Sequence, residues 1–578
     1  WIGTANPQTP AGQAMMQWEE TGREVHQLGL WFNAFDGPGS VDILSVSVSP
    51  IGESNRDPPF GLRQIASDGR SRRTLYAHAP SRFEFRVEVP EGGRLDYGMR
   101  TLRDDASVTF RVSIEPDRGD AQTLADEPVS DASEWMQHSV DLSAFAGQTV
   151  TLALENASPI PGAVTLWSAP TVTGSTPAAK PNVIFYVIDG ASAEQMSLYG
   201  YNRRTTPNLE ALASEGAVFE WAYSNASWTY PSTRSFMTSL QNSVVSTPDV
   251  QFDLIPEDVR TMAERFHDAG YQTAVFTTNP NAGALNDLAE GVDRFRDAGA
   301  ELDALSSEEL HREFFDWRDA YPGAPYWVHF QTTDVHDPNT SQPPFAGLFA
   351  PVGTSERVSR ESSLMNAWRA QNARLYRRDP EAWERSSWAG ASVDRVSYYD
   401  ALRAVYDETM AHQDYEFGRL VERLKASGEW ANTLLIVAAD HGIDAGSEDF
   451  VTGLLEEPEL YSHWSILRSS VSRVPLMFIW PGKIQGGQRL REQVSMIDVL
   501  PTILKLLGLP EPEVLQGQSL APLLLGTEGW EQRPVILDDT SINPRTGNVA
   551  GQVEVIDGRW GASLCVCEEG SRARFPFL

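Results

Sequence analysis

The feature that most narrows the fold is a series of short, unbroken apolar runs after residue 181. They are VIFYVI (Val183 to Ile188), TAVFTT (Thr273 to Thr278), YWVHFQ (Tyr326 to Gln331), TLLIVAA (Thr433 to Ala439) and PLMFIW (Pro475 to Trp480). A strand with one solvated face alternates polar and apolar residues, whereas a strand that is apolar throughout is buried on both faces. Runs of this kind alternate here with helical stretches for roughly 400 residues, which predicts an α/β fold with a mostly parallel sheet covered by helices on both faces. Ligands of such sheets bind beyond the carboxyl ends of the strands, so the residues that follow each run are where chemistry is expected.

The first part of the chain has a different period. From about Val41 to Val172, stretches such as FEFRVEV (Phe83 to Val89), VTFRVSI (Val108 to Ile114) and TVTLALE (Thr149 to Glu155) alternate every second residue, as in an antiparallel β-sandwich. GSTPAAKP (Gly174 to Pro181) then reads as a linker. The expected organisation is a sandwich domain over 1–173, a linker over 174–181 and a catalytic domain over 182–578. The sandwich carries almost no His, Cys or Asp at ligand spacing, so packing or contact with a glycan is its expected role.

Composition removes several classes of partner. With 46 basic and 79 acidic residues the formal charge is −33, which argues against duplex nucleic acid or an anionic membrane surface. A site for an anionic substrate must then be made positive locally. No apolar run approaches the ~18 residues of a membrane span. The two cysteines, Cys565 and Cys567, are too few and too close for a disulfide framework or a zinc-thiolate module. The chain begins at Trp1 rather than Met, and one reading is a removed secretory leader, with the periplasm or the exterior as the expected location.

Two of the buried strands run into carboxylates, VIFYVI into Asp189-Gly190 and LLIVAA into Asp440-His441-Gly442. Either aspartate alone reads as a turn or cap residue. Together with the histidine they form a mixed oxygen and nitrogen donor set suited to a divalent metal of intermediate hardness.

Six ordered segments carry a resemblance: PNVIFYVIDG, LYGYNRRTTPNLEALASEGAVFEWAY, SWTYPSTRSFMTSL, VAADHG, RVPLMFIWPG and VSMIDVLPTILKLLGLP. Over roughly Pro181 to Leu525 the chain resembles the sulfatase branch of the alkaline phosphatase superfamily. The resemblance implies Thr229 as the nucleophile and Asp189, Asp440, His441 and Thr229 as metal ligands. It also implies Asn279 and Arg234 as substrate contacts, His463 on the transferring group, and His336 on the leaving group.

The chain departs from the family's pattern in three places. Sulfatases carry a Cys or Ser in a C/S-x-P-x-R pattern that is oxidised to formylglycine, but Thr229 is a secondary carbinol and cannot give an aldehyde. The family's arginine is replaced by Thr233, with Arg234 one step later. Threonine is instead the nucleophile of relatives that act on phosphodiesters or transfer phosphoglycerol. Pro231 is expected in the first turn of a helix from Ser232 to Leu240, leaving Thr229 just before an N-terminus that favours an anion. Thirdly, many sulfatases have two adjacent aspartates where this chain has Asp189-Gly190, so zinc or manganese is favoured over calcium. Asp334, His336 and His463 could supply a second metal, but the D-x-H spacing of Asp334 and His336 differs from the D-x-x-x-H of two-zinc relatives, and one metal is expected.

His329 is expected in the core or behind the site, and His267, His311 and His412 in structural roles on helices. Residues 338–398 form an insertion whose Arg357 to Arg395 stretch holds eight arginines against five acidic residues, with Trp368, Trp383 and Trp388 interspersed. It reads as a solvated helical insertion or as a lid over the site. The function expected from these residues is metal-dependent hydrolysis of a small anionic phosphate ester, a diester or phosphonate monoester before a monoester. The alternatives are a sulfatase and a non-catalytic glycan-binding protein.

Overall fold

The computed structural model describes residues 60–566, except 68–69, 103–106, 130–133, 160–162, 176–179, 246–254, 257, 299–304, 337–338, 373–385, 444–468, 513, 543–548 and 559. His463, Trp383 and Cys567 lie outside the described residues, as does the chain before Phe60. The chain divides into two compact units. One runs to Ala178 and includes Asp293–Phe295 and Asp316–Ala324; the other holds Ala179–Val292, Arg296–Phe315 and the chain from Pro325.

In the first unit the period-2 stretches form antiparallel strands. Ser81–Glu88, Thr149–Ala157, Val108–Pro116 and Gln122–Val129 make one four-stranded sheet in that order. Arg94–Thr101 pairs with both Val164–Thr173 and Met136–Asp141 in a second layer. The inward residues of the two layers, among them Tyr97, Phe110, Leu154 and Trp167, share one apolar core. Trp167 is fully buried, with ring centroids 5.3 Å from Tyr97 and 4.9 Å from Phe110. This is the expected β-sandwich.

The second unit is built on four parallel strands in the order Gln272–Thr277, Tyr326–Thr332, Asn182–Ile188 and Thr433–Ala438. Leu476–Ile479 continues the sheet antiparallel to Thr433–Ala438. Asn182–Ile188, Tyr326–Thr332 and Thr433–Ala438 are buried at every position, as their unbroken apolar runs require. Successive side chains point to opposite faces, and the helices follow that parity. Phe185 packs against Phe236 of the helix Thr229–Thr238 at 5.2 Å, while Tyr186 packs against Phe417 of the long helix Arg395–Ala426 at 5.0 Å. The sheet is thus covered on both faces in an alkaline-phosphatase-like α/β arrangement.

The insertion is not merely a solvated stretch. Val358 and Met365 of the helix Thr354–Gln371 join Trp388, Val393, Tyr398 and Leu402 in a small core against the long helix. No helix among the described residues is long and apolar enough to cross a membrane.

Trp167→Ala is expected to lower the stability of the sandwich unit by about 3–5 kcal/mol, the cost of deleting a buried aromatic. Urea unfolding followed by circular dichroism checks this, and a loss under ~1 kcal/mol would show that the two layers do not share this core.

Candidate active site

The four parallel strands end level with one another. Gln331 lies beside Val187 on one side and Thr277 on the other, and Val187 lies beside Ala438. Just beyond these positions the chain places Asp189, Asn279 and Asp440-His441. Residues far apart in sequence therefore meet because a parallel register aligns the strand ends.

Gln331 ties the two aspartates together. Its Nε2 donates to Oδ2 of Asp189 and to Oδ2 of Asp440, each at 2.9 Å, and all three residues are fully buried. Asn279 makes the next link, its Nδ2 donating to Oδ2 of Asp189 at 2.6 Å and to Oγ1 of Thr229 at 3.0 Å. Oδ1 of Asp440 accepts from the N–H groups of Gly190 and His441 at 3.3 and 3.0 Å.

Thr229 is itself the first residue of its helix, which runs to Thr238, three residues earlier than the sequence suggested. Pro231 still falls in the first turn, where its missing N–H has no intrahelical partner to lose. Ser232 pins this helix start to the strand end by donating from Oγ to the Asp440 carbonyl at 2.5 Å. Oγ1 of Thr229 lies 3.3 Å from Nε2 of His441. The Nδ1 of His441 is 2.9 Å from the Gly442 carbonyl, which can only accept, so Nδ1 carries the proton and the Nε2 lone pair turns toward the carboxylates.

Oδ1 of Asp189 is the atom that gives this cluster the character of a candidate metal site. It is buried with no hydrogen-bond donor and lies 3.5 Å from Nε2 of His441 and 3.8 Å from Nε2 of His336. An anionic oxygen in that state is costly unless a cation lies beside it. Ligand atoms of Asp189, His336 and His441 all lie within 4.8 Å of one another. Burial, and then the charge of Asp189, push the Asp440 carboxyl well above its ordinary range. Burial also opposes ionisation of Asp189, but positive charge on His336 and the bonds from Gln331 and Asn279 hold it below the ordinary value. Two buried carboxylates sharing one amide donor, with an imidazole beside them, fit a divalent cation.

Glycine is required twice here. Gly190 has φ +71, a left-handed conformation that a second aspartate would strain, and a Cβ there would meet the Ile443 side chain at 2.6 Å. At Gly442 a Cβ would fall 2.1 Å from the Ser470 carbonyl oxygen.

Other residues singled out in the sequence have different surroundings. Arg234 is fully buried and engaged with the Tyr230 hydroxyl at 2.9 Å and the Val245 carbonyl at 3.1 Å. Asp334 accepts from the N–H and Oγ of Ser307, at 3.1 and 3.2 Å, and so caps the helix Ser307–Asp319. His329 is a core residue, its ring 5.3 Å from Phe185, and burial pushes its pKa down to about 3. His311 is likewise pushed down to about 3 by burial, hydrogen-bonded to the Tyr186 hydroxyl at 2.9 Å.

Two supporting residues escaped the sequence reading. Gln331 had a signal, a polar amide at the end of an otherwise apolar strand. Tyr406, in the middle of the long helix, had none; its hydroxyl donates to the Gly190 carbonyl at 2.9 Å and accepts from the Ser192 N–H at 3.0 Å, fixing the turn after Asp189.

The family described as Sulfatase matches residues 181–509. The chain belongs to the sulfatase family. This places it in the sulfatase branch of the alkaline phosphatase superfamily, as its motif order implied. Among relatives of this sulfatase-family chain, an N-acetylglucosamine-6-O-sulfatase of Bacteroides thetaiotaomicron is 23% identical over 415 residues, 60% of this chain and 71% of that protein. An extracellular sulfatase SULF-1 homolog of Drosophila melanogaster is 23% identical over 382 residues, 60% of this chain and 31% of that protein. The crystal structure of a phosphonate monoester hydrolase of Agrobacterium radiobacter is similar in fold, with a TM-score of 0.52 at 18% identity over 69% of this chain and 89% of that one.

The purified protein is expected to carry about one equivalent of a divalent cation, and its removal by a chelator to lower the melting temperature by several degrees, as loss of a tightly bound ligand does. Elemental analysis and calorimetry check both, and two equivalents would refute a single-cation site. Gln331→Leu, which leaves Asp189 and Asp440 without their shared donor, is expected to weaken cation affinity by about 10- to 100-fold. Titration in metal buffers measures it, and unchanged affinity would remove Gln331 from the site's support.

Proposed function

We propose that this chain hydrolyses an ester of a small, singly charged oxyacid, with Thr229 as the attacking group. The observation that carries the reading is the setting of Oγ1 of Thr229, at a helix N-terminus, held by Asn279 and next to His441. Asp189, Asp440 and His441 would hold one cation, zinc or manganese before calcium, because imidazole enters the donor set. When bound, such a cation lowers the pKa of a hydroxyl and neutralises the charge of the ester. Asn279 fixes the direction of the Thr229 hydroxyl, and the helix N-terminus favours the anion that approaches it.

Sulfate is the ester the family favours, since the relatives above carry sulfatase names and one of them is named for N-acetylglucosamine-6-O-sulfate chemistry. A sulfated glycan as substrate, outside the cell, follows from that reading, with glycan contact as a separate role of the sandwich domain. The phosphate ester expected from the sequence is the second reading, and Thr229 is what favours it. Threonine cannot become formylglycine, whose hydrate expels sulfate by C–O cleavage. A sulfated Thr229 must be attacked by water at sulfur, whereas a phosphothreonine is open to attack at phosphorus.

Values of kcat/KM for matched aryl sulfate, phosphodiester and phosphonate substrates decide between the two. A sulfate preferred over both phosphorus esters supports the first reading, and the reverse order supports the second. Hydrolysis of none would refute both and leave the glycan-binding alternative. Thr229→Ala is expected to lower turnover at least ~10³-fold, while costing only about 1 kcal/mol in stability through the lost hydrogen bond from Asn279. A variant that keeps most of its activity would show that another group attacks.

A further inference from the structure

The family resemblance implies His336 on the leaving group. We infer that His336 is instead a ligand of the cation, so that two imidazoles, His336 and His441, flank the same carboxylate oxygen of Asp189. The inference rests on the reading of this site as a metal centre, and four observations carry it.

The first is distance. A hydrogen-bonded N and O lie about 2.7–3.2 Å apart. Oδ1 of Asp189 is 3.5 Å from one imidazole Nε2 and 3.8 Å from the other, too long for hydrogen bonds. With metal bonds of ~2.0–2.2 Å, two ligand atoms on a tetrahedral ion lie about 3.4 Å apart. Each imidazole nitrogen is therefore spaced from Oδ1 of Asp189 as a fellow ligand of one ion rather than as its hydrogen-bond partner, and the three groups offer atoms within 4.8 Å of one another.

The second is direction. The two rings are nearly perpendicular, at 79° with centroids 5.9 Å apart, and in each it is Nε2 that approaches Oδ1 of Asp189. A proton donor for a leaving group would aim its nitrogen at the incoming ester, not at the oxygen at the base of the site.

The third is the space that receives the ring. The position of a Cβ on Gly190 is 3.5 Å from Cδ2 of His336, an ordinary contact distance, so the imidazole lies directly against the residue that follows Asp189.

The fourth is rigidity. The short loop that carries His336 is tied at successive residues: Thr333 Oγ1 lies 2.8 Å from Thr278 Oγ1, Asp334 caps a helix through Ser307, and Asn339 donates to the Val335 carbonyl at 2.6 Å. The N–H of His336 donates to the Thr333 carbonyl at 3.0 Å. A ligand benefits from such fixing because its donor atom must be held within a few tenths of an ångström. Two nitrogen donors also strengthen the preference for zinc or manganese over calcium.

The test reads metal binding alone. The full chain and its His336→Ala and His336→Gln variants are stripped with a chelator, checked for native circular dichroism, and titrated with Zn²⁺ in metal buffers. They are then loaded with Cu²⁺ for pulsed EPR, which counts bound imidazoles through their remote nitrogens. Both variants are expected to bind zinc at least ~10-fold more weakly than the parent chain and to show one imidazole fewer. An unchanged imidazole count in either folded variant overturns the assignment, as does a parent chain that binds neither ion. Because no ester is used, failure of the sulfate or phosphate reading leaves this result untouched. Failure here leaves the ester specificities to stand on their own assays.

Discussion

Asp189 and Asp440 are two carboxylates buried side by side at the end of a parallel sheet, within reach of a single amide. Two negative charges in a low-dielectric interior repel strongly and cannot both ionise without a counter-charge. The surrounding structure answers that constraint. Gln331 and Asn279 supply donors, His336 and His441 bring nitrogen atoms to the one undonated oxygen, and the helix that begins at Thr229 turns its N-terminus to the same place. In a protein of net charge −33 these two carboxylates need a cation beside them before an anion can approach this point.

The walls of the site are fixed from behind by one turn of the long helix. Tyr406 holds the backbone at Gly190 and Ser192, and Asp407 accepts from Tyr201 at 2.9 Å and Arg203 at 2.6 Å. Glu408 accepts from the N–H groups of Gly347, Phe349 and Ala350 at 3.0–3.1 Å, which ties the start of the insertion to the same turn. Three neighbouring side chains thus couple three loops that are distant in sequence. Burial pushes the Asp407 carboxyl up to about 6 even with Arg203 beside it, so this anchor is costly to ionise and depends on its partners.

What could be read in advance follows from where each signal lies. Apolar runs such as VIFYVI mark buried strands because burial on both faces leaves no alternative, and FEFRVEV marks a sandwich strand because only one face is buried. The strand-end residues Asp189, Asp440 and His441 were legible for the same reason, since a parallel sheet sends ligands to that edge. The roles of Gln331 and Tyr406 depend on register and on which helix face meets which loop, neither of which is written locally. The start of the helix at Thr229 was misplaced by three residues because a proline is tolerated anywhere in a first turn. The resemblance implies Arg234 as a substrate contact, but motif order does not reveal that its guanidinium is engaged with Tyr230 and Val245.

The position of Thr433–Ala438 in the sheet also governs how the chain reaches this structure. That strand lies between Asn182–Ile188 and Leu476–Ile479, so one edge of the earliest central strand has no partner until the ribosome has passed residue 438. At ~5–20 residues per second the interval is on the order of tens of seconds. During that time an apolar strand edge is available to other nascent chains. The order of the strands thus leaves that edge to be shielded during synthesis by something other than the stability of the finished fold.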